Sequence, residues 1–195
     1  MLDIAMGTIE EITLLYEISK ALDVSRNLRE SLYKVLDILA RSTEMERGTI
    51  TIMNPVRDEV RIEVAHGLSR TAIKRGKYKA GEGITGKVIE TGKSFIVPKV
   101  SEEPLFLNRT ATRRSVIDQE ISFICVPVKK GNKVVGTLSV DIPFDESYLL
   151  KEGERLLSIV AAMIAQHVIN LETIQMEKQQ LRKENNDPAS RCFRC

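Results

Sequence analysis

Three things are scarce in this chain, and each scarcity excludes something. No apolar run reaches the roughly 18 to 20 residues that span a bilayer as a helix. The opening Met1-Leu2-Asp3-Ile4-Ala5-Met6-Gly7 has neither the basic region nor the long apolar segment of a signal peptide. A cytoplasmic protein with no membrane contact is therefore expected. Net charge is scarce as well: it is +2 over 195 residues, so the chain as a whole gives no reason to expect nucleic acid or an anionic membrane as a partner. Cysteine is limited to three residues, which fits a reducing compartment. Cys125 lies in the apolar run Phe123-Ile124-Cys125-Val126, where a small buried hydrophobe is the plain reading. Cys192 and Cys195 form a C-x-x-C, but no further ligands stand near them, so no metal site is expected. They follow the turn-forming Asn185-Asn186-Asp187-Pro188-Ala189-Ser190 and read as a flexible tail, a linker or an appended remnant.

The chain also lacks a complete phosphate loop. Gly81-Glu82-Gly83-Ile84-Thr85-Gly86-Lys87-Val88 satisfies G-x-G-x-x-G and most of a Walker A pattern, yet Val88 stands where a magnesium-binding Ser or Thr belongs. The residues before it, Arg75-Gly76-Lys77-Tyr78-Lys79-Ala80, are basic and polar, so no buried parallel strand is expected to present the loop. Neither catalytic reading survives elsewhere. There is no nucleophile with a base and an orienter, and no carboxylate pair with an evident partner, so no enzyme and no cofactor are expected.

What is present is a core-forming 43% of hydrophobic residues, enough for one domain with extensions. A helix is predicted over about 8–22 from the spacing of Leu15, Ile18 and Leu22. A second starts at Asn27, with Glu30 completing a capping box, and carries Leu28, Leu32, Val35, Leu36 and Leu39 before ending ahead of Gly48. The period then changes to two. Ile50 and Ile52, and Val60, Ile62 and Val64, mark two strands joined across Asn54-Pro55-Val56-Arg57-Asp58. The segment from Arg70 to Lys79 is irregular and holds Arg70, Lys74, Arg75, Lys77 and Lys79 without an acid; a solvated face is its default reading, an anion-attracting patch the other. A short helix over 84–91 and a strand Phe95-Ile96-Val97 follow.

Residues 99–120 have few periodic apolar positions, and long loops in compact domains tend to be binding elements, so this loop is the first suspect for ligand contact. Strands over 121–128 and 134–141 join across Lys129-Lys130-Gly131-Asn132-Lys133. The last helix carries Leu156, Val160, Met163, His167, Leu171 and Ile174 in steps of four and three. That seam reads as a dimer interface with Leu15, Ile18 and Leu22, the alternative being helices packed on the back of their own sheet. His167 and His66 read as packed imidazoles rather than as metal or catalytic groups.

Helix, helix, hairpin, short helix, strand, long loop, hairpin, long helix is the element order of GAF domains. The segments Leu15-Tyr16-Glu17-Ile18-Ser19-Lys20-Ala21-Leu22, Ala65-His66-Gly67-Leu68, Gly81-Glu82-Gly83-Ile84-Thr85-Gly86, Pro104-Leu105-Phe106-Leu107-Asn108-Arg109 and Ile121-Ser122-Phe123-Ile124-Cys125-Val126-Pro127 together resemble the N-terminal GAF domain of NifA-type activators, which act with sigma-54 on nitrogen-fixation genes. The resemblance covers about residues 10–175. It implies an α+β, PAS-like fold: a five- to six-stranded, largely antiparallel sheet with N- and C-terminal helices on one face and a pocket region on the other. The expected layout is an N-terminal helix (1–24), a sensory core (25–150), a long C-terminal helix leading to an absent AAA+ ATPase (151–184) and a tail (185–195).

The resemblance further implies a regulatory domain that shifts between conformations when a small metabolite, such as 2-oxoglutarate, or a PII-type signal protein binds. On this reading the pocket residues are Gly83, Ile84 and Thr85 at the short helix, Phe106 and Arg109 in the loop, and Phe123 and Cys125 on the strand, with Arg109 available to an anion. Asn132-Lys133 followed by Phe144-Asp145-Glu146 is close to a cyclic-nucleotide GAF signature, but the residues that should separate Phe from Asp are missing. A ligand-free interaction module is the alternative from another class. Methionine sulfoxide reduction, known in some GAF-like proteins, would need accessible paired cysteines at the pocket.

Overall fold

In the computed structural model, described for residues 2–25, 27–54, 59–110, 120–144 and 149–186, the chain runs α1 (Leu2–Val24), α2 (Leu28–Ser42), β1 (Arg47–Asn54), β2 (Glu59–His66), α3 (Arg70–Arg75), β3 (Lys77–Lys79), α4 (Gly83–Thr91), β4 (Phe95–Val97), a 3-10 turn Val100–Glu102, β5 (Ile121–Lys130), β6 (Lys133–Pro143) and α5 (Leu149–Asn186). The tail cysteines Cys192 and Cys195, the 55–58 turn, Asp145 and Glu146 lie outside the described residues.

Strand order is β3-β2-β1-β6-β5-β4, and every neighbouring pair is antiparallel. Alternation gives each central strand two faces. Ile50, Ile124, Val126, Val128, Leu138 and Val140 point to one side and form a single core with α1, α2 and α5. The residues between them point to the other side, which α4 covers through Ile84 and Val88 against Phe123 and Cys125.

Three expectations need correction. The segment 70–79 is not irregular: Ser69 accepts a hydrogen bond from the Ala72 N–H at 3.2 Å and starts α3, and Lys77–Lys79 adds to the sheet as an edge strand. Backbone pairing with β2 overrides the polar side chains, which an edge tolerates because it is solvated. Second, Val60, Ile62 and Val64 do not share a face. The register shifts between Ile50 and Thr51, so Val64 opposes Ile50 on the helical side while Ile62 opposes Thr51 and Val60 opposes Met53 on the other. Third, α5 does contain an 18-residue window apolar enough by length and composition to cross a bilayer. Its apolar side is a core face: Leu157, Val160, Ala161, Ile164, Ala165 and Val168 are buried in the helical core.

That packing also bears on the expected seam. Ile18, Leu22, Val160 and His167 are covered by their own chain and have no face left for a partner, whereas Leu15, Met163 and Leu171 are half-buried and Ile174 is exposed. Among the described residues of α1, the large apolar side chains that stand open are instead Ile9, Ile12, Tyr16 and, at its end, Val24. Asn27 caps α2 as expected, accepting from the Arg29 and Glu30 N–H groups, but Glu30 pairs with Lys34 and takes a bond from Ser25 rather than closing a capping box.

Candidate functional site

The glycine-rich stretch is a turn between an edge strand and a helix. Gly81 and Gly83 hold φ of +80° and +62°, which a residue with a Cβ adopts only under strain. Gly86 serves close approach, since a Cβ there would stand 2.3 Å from the Lys79 carbonyl oxygen. The strand that precedes the loop is not a buried parallel one: it is three residues long, at the sheet edge and antiparallel. Glu82 sits where a phosphate would dock at the start of α4; its carboxylate accepts from the Lys79 N–H at 3.0 Å and pairs with Arg109. A carboxylate in that position repels a phosphate.

Above this turn lies the loop 104–110. Phe106 meets Phe123 edge to face with centroids 5.3 Å apart. Arg109 donates to the Lys77 carbonyl at 2.7 Å, pairs with Glu82, and lies 5.6 Å from the Tyr78 ring centroid. Arg75 donates to the Thr110 carbonyl at 2.5 Å. Two arginines thus fasten the loop to α3 and the β3 edge.

Between loop and sheet is a cavity of about 60 Å³. Its wall includes Gly83, Ile84 and Thr85 at the start of α4, Phe106 and Arg109 in the loop, and Phe123 on β5. Cys125 does not reach it. The residue is fully buried behind Phe123 with Val88 and Val97, and burial pushes its thiol up to about 12.

Sequence reasoning missed the floor. On β1 and β6, Arg47 opposes Asp141, Thr49 opposes Ser139 and Thr51 opposes Thr137, making three polar rungs across the two central strands. The hydroxyl rungs satisfy themselves, at 2.7 Å for Thr49–Ser139 and 2.8 Å for Thr51–Thr137. The charged rung is looser. Arg47 Nη1 stands 3.8 Å from Asp141 Oδ2, and Nη2 stands 3.7 Å from Glu46, both beyond hydrogen-bonding distance. Arg47 Nη1 is buried without a hydrogen-bond acceptor among the described residues, and so is Asn108 Oδ1 without a donor. Both residues line the cavity, with Asn108 held at a φ of +40°. The signal for this floor was readable: Arg47-x-Thr49-x-Thr51 and Thr137-x-Ser139-x-Asp141 are polar on alternate positions of strands whose other positions are core.

Residues 27–168 match the GAF domain family. The chain is 37% identical over 177 residues to the nitrogen fixation protein VnfA of Azotobacter vinelandii, a match that spans 88% of this chain and 34% of the relative. It is 38% identical over 177 residues to a Nif-specific regulatory protein of Azospirillum brasilense, spanning 89% of this chain and 28% of that protein. It therefore spans about a third of the length of these curated relatives. Among solved structures, the A. aeolicus nlh2 GAF domain in an inactive state superposes with a TM-score of 0.74 at 27% identity, covering 83% of this chain and 96% of that one.

Proposed function

The chain belongs to the GAF domain family, and on that premise we propose that it is the sensory part of a NifA-type transcriptional activator. The input is a small polar metabolite in the cavity under the loop, or a PII-type signal protein; the output is the activity of an adjoining AAA+ ATPase on nitrogen-fixation genes. The observation that carries this reading is a sheet used on both faces. Ser139 and Asp141 of β6 form the cavity floor, while Leu138 and Val140 of the same strand seat the helical layer that includes α5. A ligand that binds one arrangement of β6 better than another also biases how α5 is seated, which is the population shift a regulatory domain requires.

The domain acts without catalysis and without a cofactor in this reading, in the cytoplasm. Cys125 cannot supply a reductase thiol while buried with its proton held to about pH 12. A cavity of about 60 Å³ is too small as it stands for a nucleotide or for 2-oxoglutarate, so either enters only if a wall yields, and the larger nucleotide demands the larger movement. The same small volume supports a second reading, a ligand-free interaction module. Dimerisation belongs to the proposal too, now through Ile9, Ile12 and Tyr16 on the open face of α1 together with Ile174 of α5.

Isothermal titration with 2-oxoglutarate, and separately with a PII-type protein, tests the proposal. Saturable binding of 2-oxoglutarate supports a metabolite sensor, and binding of the PII-type protein alone supports a sensor of that protein. Silence from both would leave the ligand-free interaction module.

A further inference from the structure

A larger opening lies on the other face of the sheet. Leu39 of α2, Ile124 of β5, Val140 of β6, and Leu150 and Leu157 of α5 wall a cavity of about 350 Å³ that opens to solvent. All five belong to the helical core, where close packing leaves few voids larger than a water molecule. The cavity stands back to back with the one under the loop: Val140 lines it, while Ser139 and Asp141 on either side of Val140 line the other. A cavity of about 150 Å³ holds benzene, so this one takes an apolar body of roughly a dozen heavy atoms as it stands.

Charge at the mouth narrows the class of occupant. Glu11, Glu44 and Glu152 belong to the wall and each keeps part of its surface in solvent, while no Lys or Arg is among the described wall residues. Arg155 stands outside, 3.5 Å from Glu11 Oε2 and 3.5 Å from Glu152 Oε2, so it holds those two carboxylates beside one another. One guanidinium against three carboxylates leaves two in excess, and Glu44 has no ion pair among the described residues. Thr43, the C-cap of α2, is also in the wall, which brings the negative end of that helix dipole to the same place.

We propose that this cavity binds a small hydrophobic ammonium ion, an arylalkylamine or a short alkylamine, with its apolar body against Ile124 and Val140 and its charge among the glutamates of the mouth. A fatty acid or other apolar anion would set its own carboxylate against theirs, so the same rim that attracts the cation rejects the anion. The occupant touches α1 through Glu11 and α5 through Leu150 and Leu157, and therefore acts on the helical layer directly rather than across the sheet. This site goes beyond the sensor reading of the loop cavity and stands apart from it, since the two cavities share no described wall residue.

The test is calorimetric titration of the 195-residue chain with 2-phenylethylamine, with the uncharged 2-phenylethanol and the anionic phenylacetate that carry the same ring, and with methylammonium, which has the charge without the apolar body. The amine should bind saturably at neutral pH, and each of the other three at least tenfold more weakly. Glu44→Gln, at an exposed position, should weaken the amine at least threefold and leave the alcohol unchanged. Ile142→Phe, which fills the cavity from a half-buried position in its wall, should abolish amine binding; if that variant unfolds, Glu44→Gln still decides. Binding of the alcohol or of phenylacetate as tight as that of the amine overturns the ammonium class. Methylammonium binding as tightly as 2-phenylethylamine, or amine binding that Glu44→Gln leaves untouched, overturns the assignment to this cavity. No saturable binding of the amine overturns the site, and leaves the binding of 2-oxoglutarate under the loop to its own titration.

Discussion

His167 of α5 and Ser31 of α2 meet inside the helical layer, Nε2 to Oγ at 3.0 Å, with both residues buried. The Ser31 hydroxyl donates to the Asn27 carbonyl at 3.1 Å, so its oxygen is left to accept from an imidazole N–H. Burial holds His167 below the ordinary histidine value, with Asp23 opposing that shift.

A group whose folded pKa is depressed binds protons first in the unfolded state, so the native state loses stability as pH falls below the unfolded value of about 6.5. Urea unfolding at pH 7.5 and pH 5.5 should show lower stability at the acid end, and His167→Gln should remove part of that difference. Equal pH dependence in the variant would place the titrating group elsewhere. Ser31→Ala should cost about 1 kcal/mol at neutral pH by stranding the buried imidazole N–H.

Helix α1 is core rather than appendage. Ile18 is fully buried against α2 and the sheet, so Ile18→Ala should cost about 2–5 kcal/mol in chemical unfolding. Ile12→Ala, on the open face, should change subunit stability by no more than about 0.5 kcal/mol. In sedimentation analysis it should weaken self-association if the outer face of α1 is the contact; an unchanged association constant would move the interface away from it.

Gly86→Ala should destabilise the domain by more than about 2 kcal/mol, because the new methyl overlaps the Lys79 carbonyl, a backbone atom with no rotamer to escape into. A thermal melt within a degree or two of the parent would show that α4 can slide away from β3.

Arg109→Ala should release the loop more than it unfolds the protein. The Arg109–Glu82 pair is about a third exposed on both sides, which limits its worth to roughly 1 kcal/mol or less. Hydrogen exchange should accelerate in 104–110 while core amides of β1 and β6 keep their protection.

Cys125 should resist alkylation. With its proton held to about pH 12, iodoacetamide at pH 8 should leave the Cys125 peptide unmodified in the native state and label it in denaturant. Peptide mapping by mass spectrometry separates it from Cys192 and Cys195.

Much of the architecture was legible in periodicity. The three-and-four spacing of Leu32, Val35, Leu36 and Leu39 and the alternation around Ile50 and Ile124 each name a buried face without reference to any distant residue. The Asn27 cap and the tight Gly131 turn, at φ +60°, are local as well. The α3 helix and the β3 strand were not legible, because nothing in Arg70–Lys79 demands burial; they form because β2 offers an open edge and Ser69 a cap.

For the site, the sequence by itself determined which strands alternate and which glycines turn the chain. It also determined the polar rungs, since Arg47, Thr49, Ser139 and Asp141 occupy alternate positions, but not that they meet. Only the tertiary structure decided that. Register between β1 and β6 places each rung's partners opposite one another across about ninety residues of chain. The bulge between Ile50 and Thr51 turns Ile62 and Val64 to opposite sides. Packing of the loop pairs Arg109 with Glu82, while Arg47 Nη1 is left buried without an acceptor among the described residues. Periodicity reports which way a side chain points along its own element; which distant side chain it finds there is set by register and packing, which no local pattern carries.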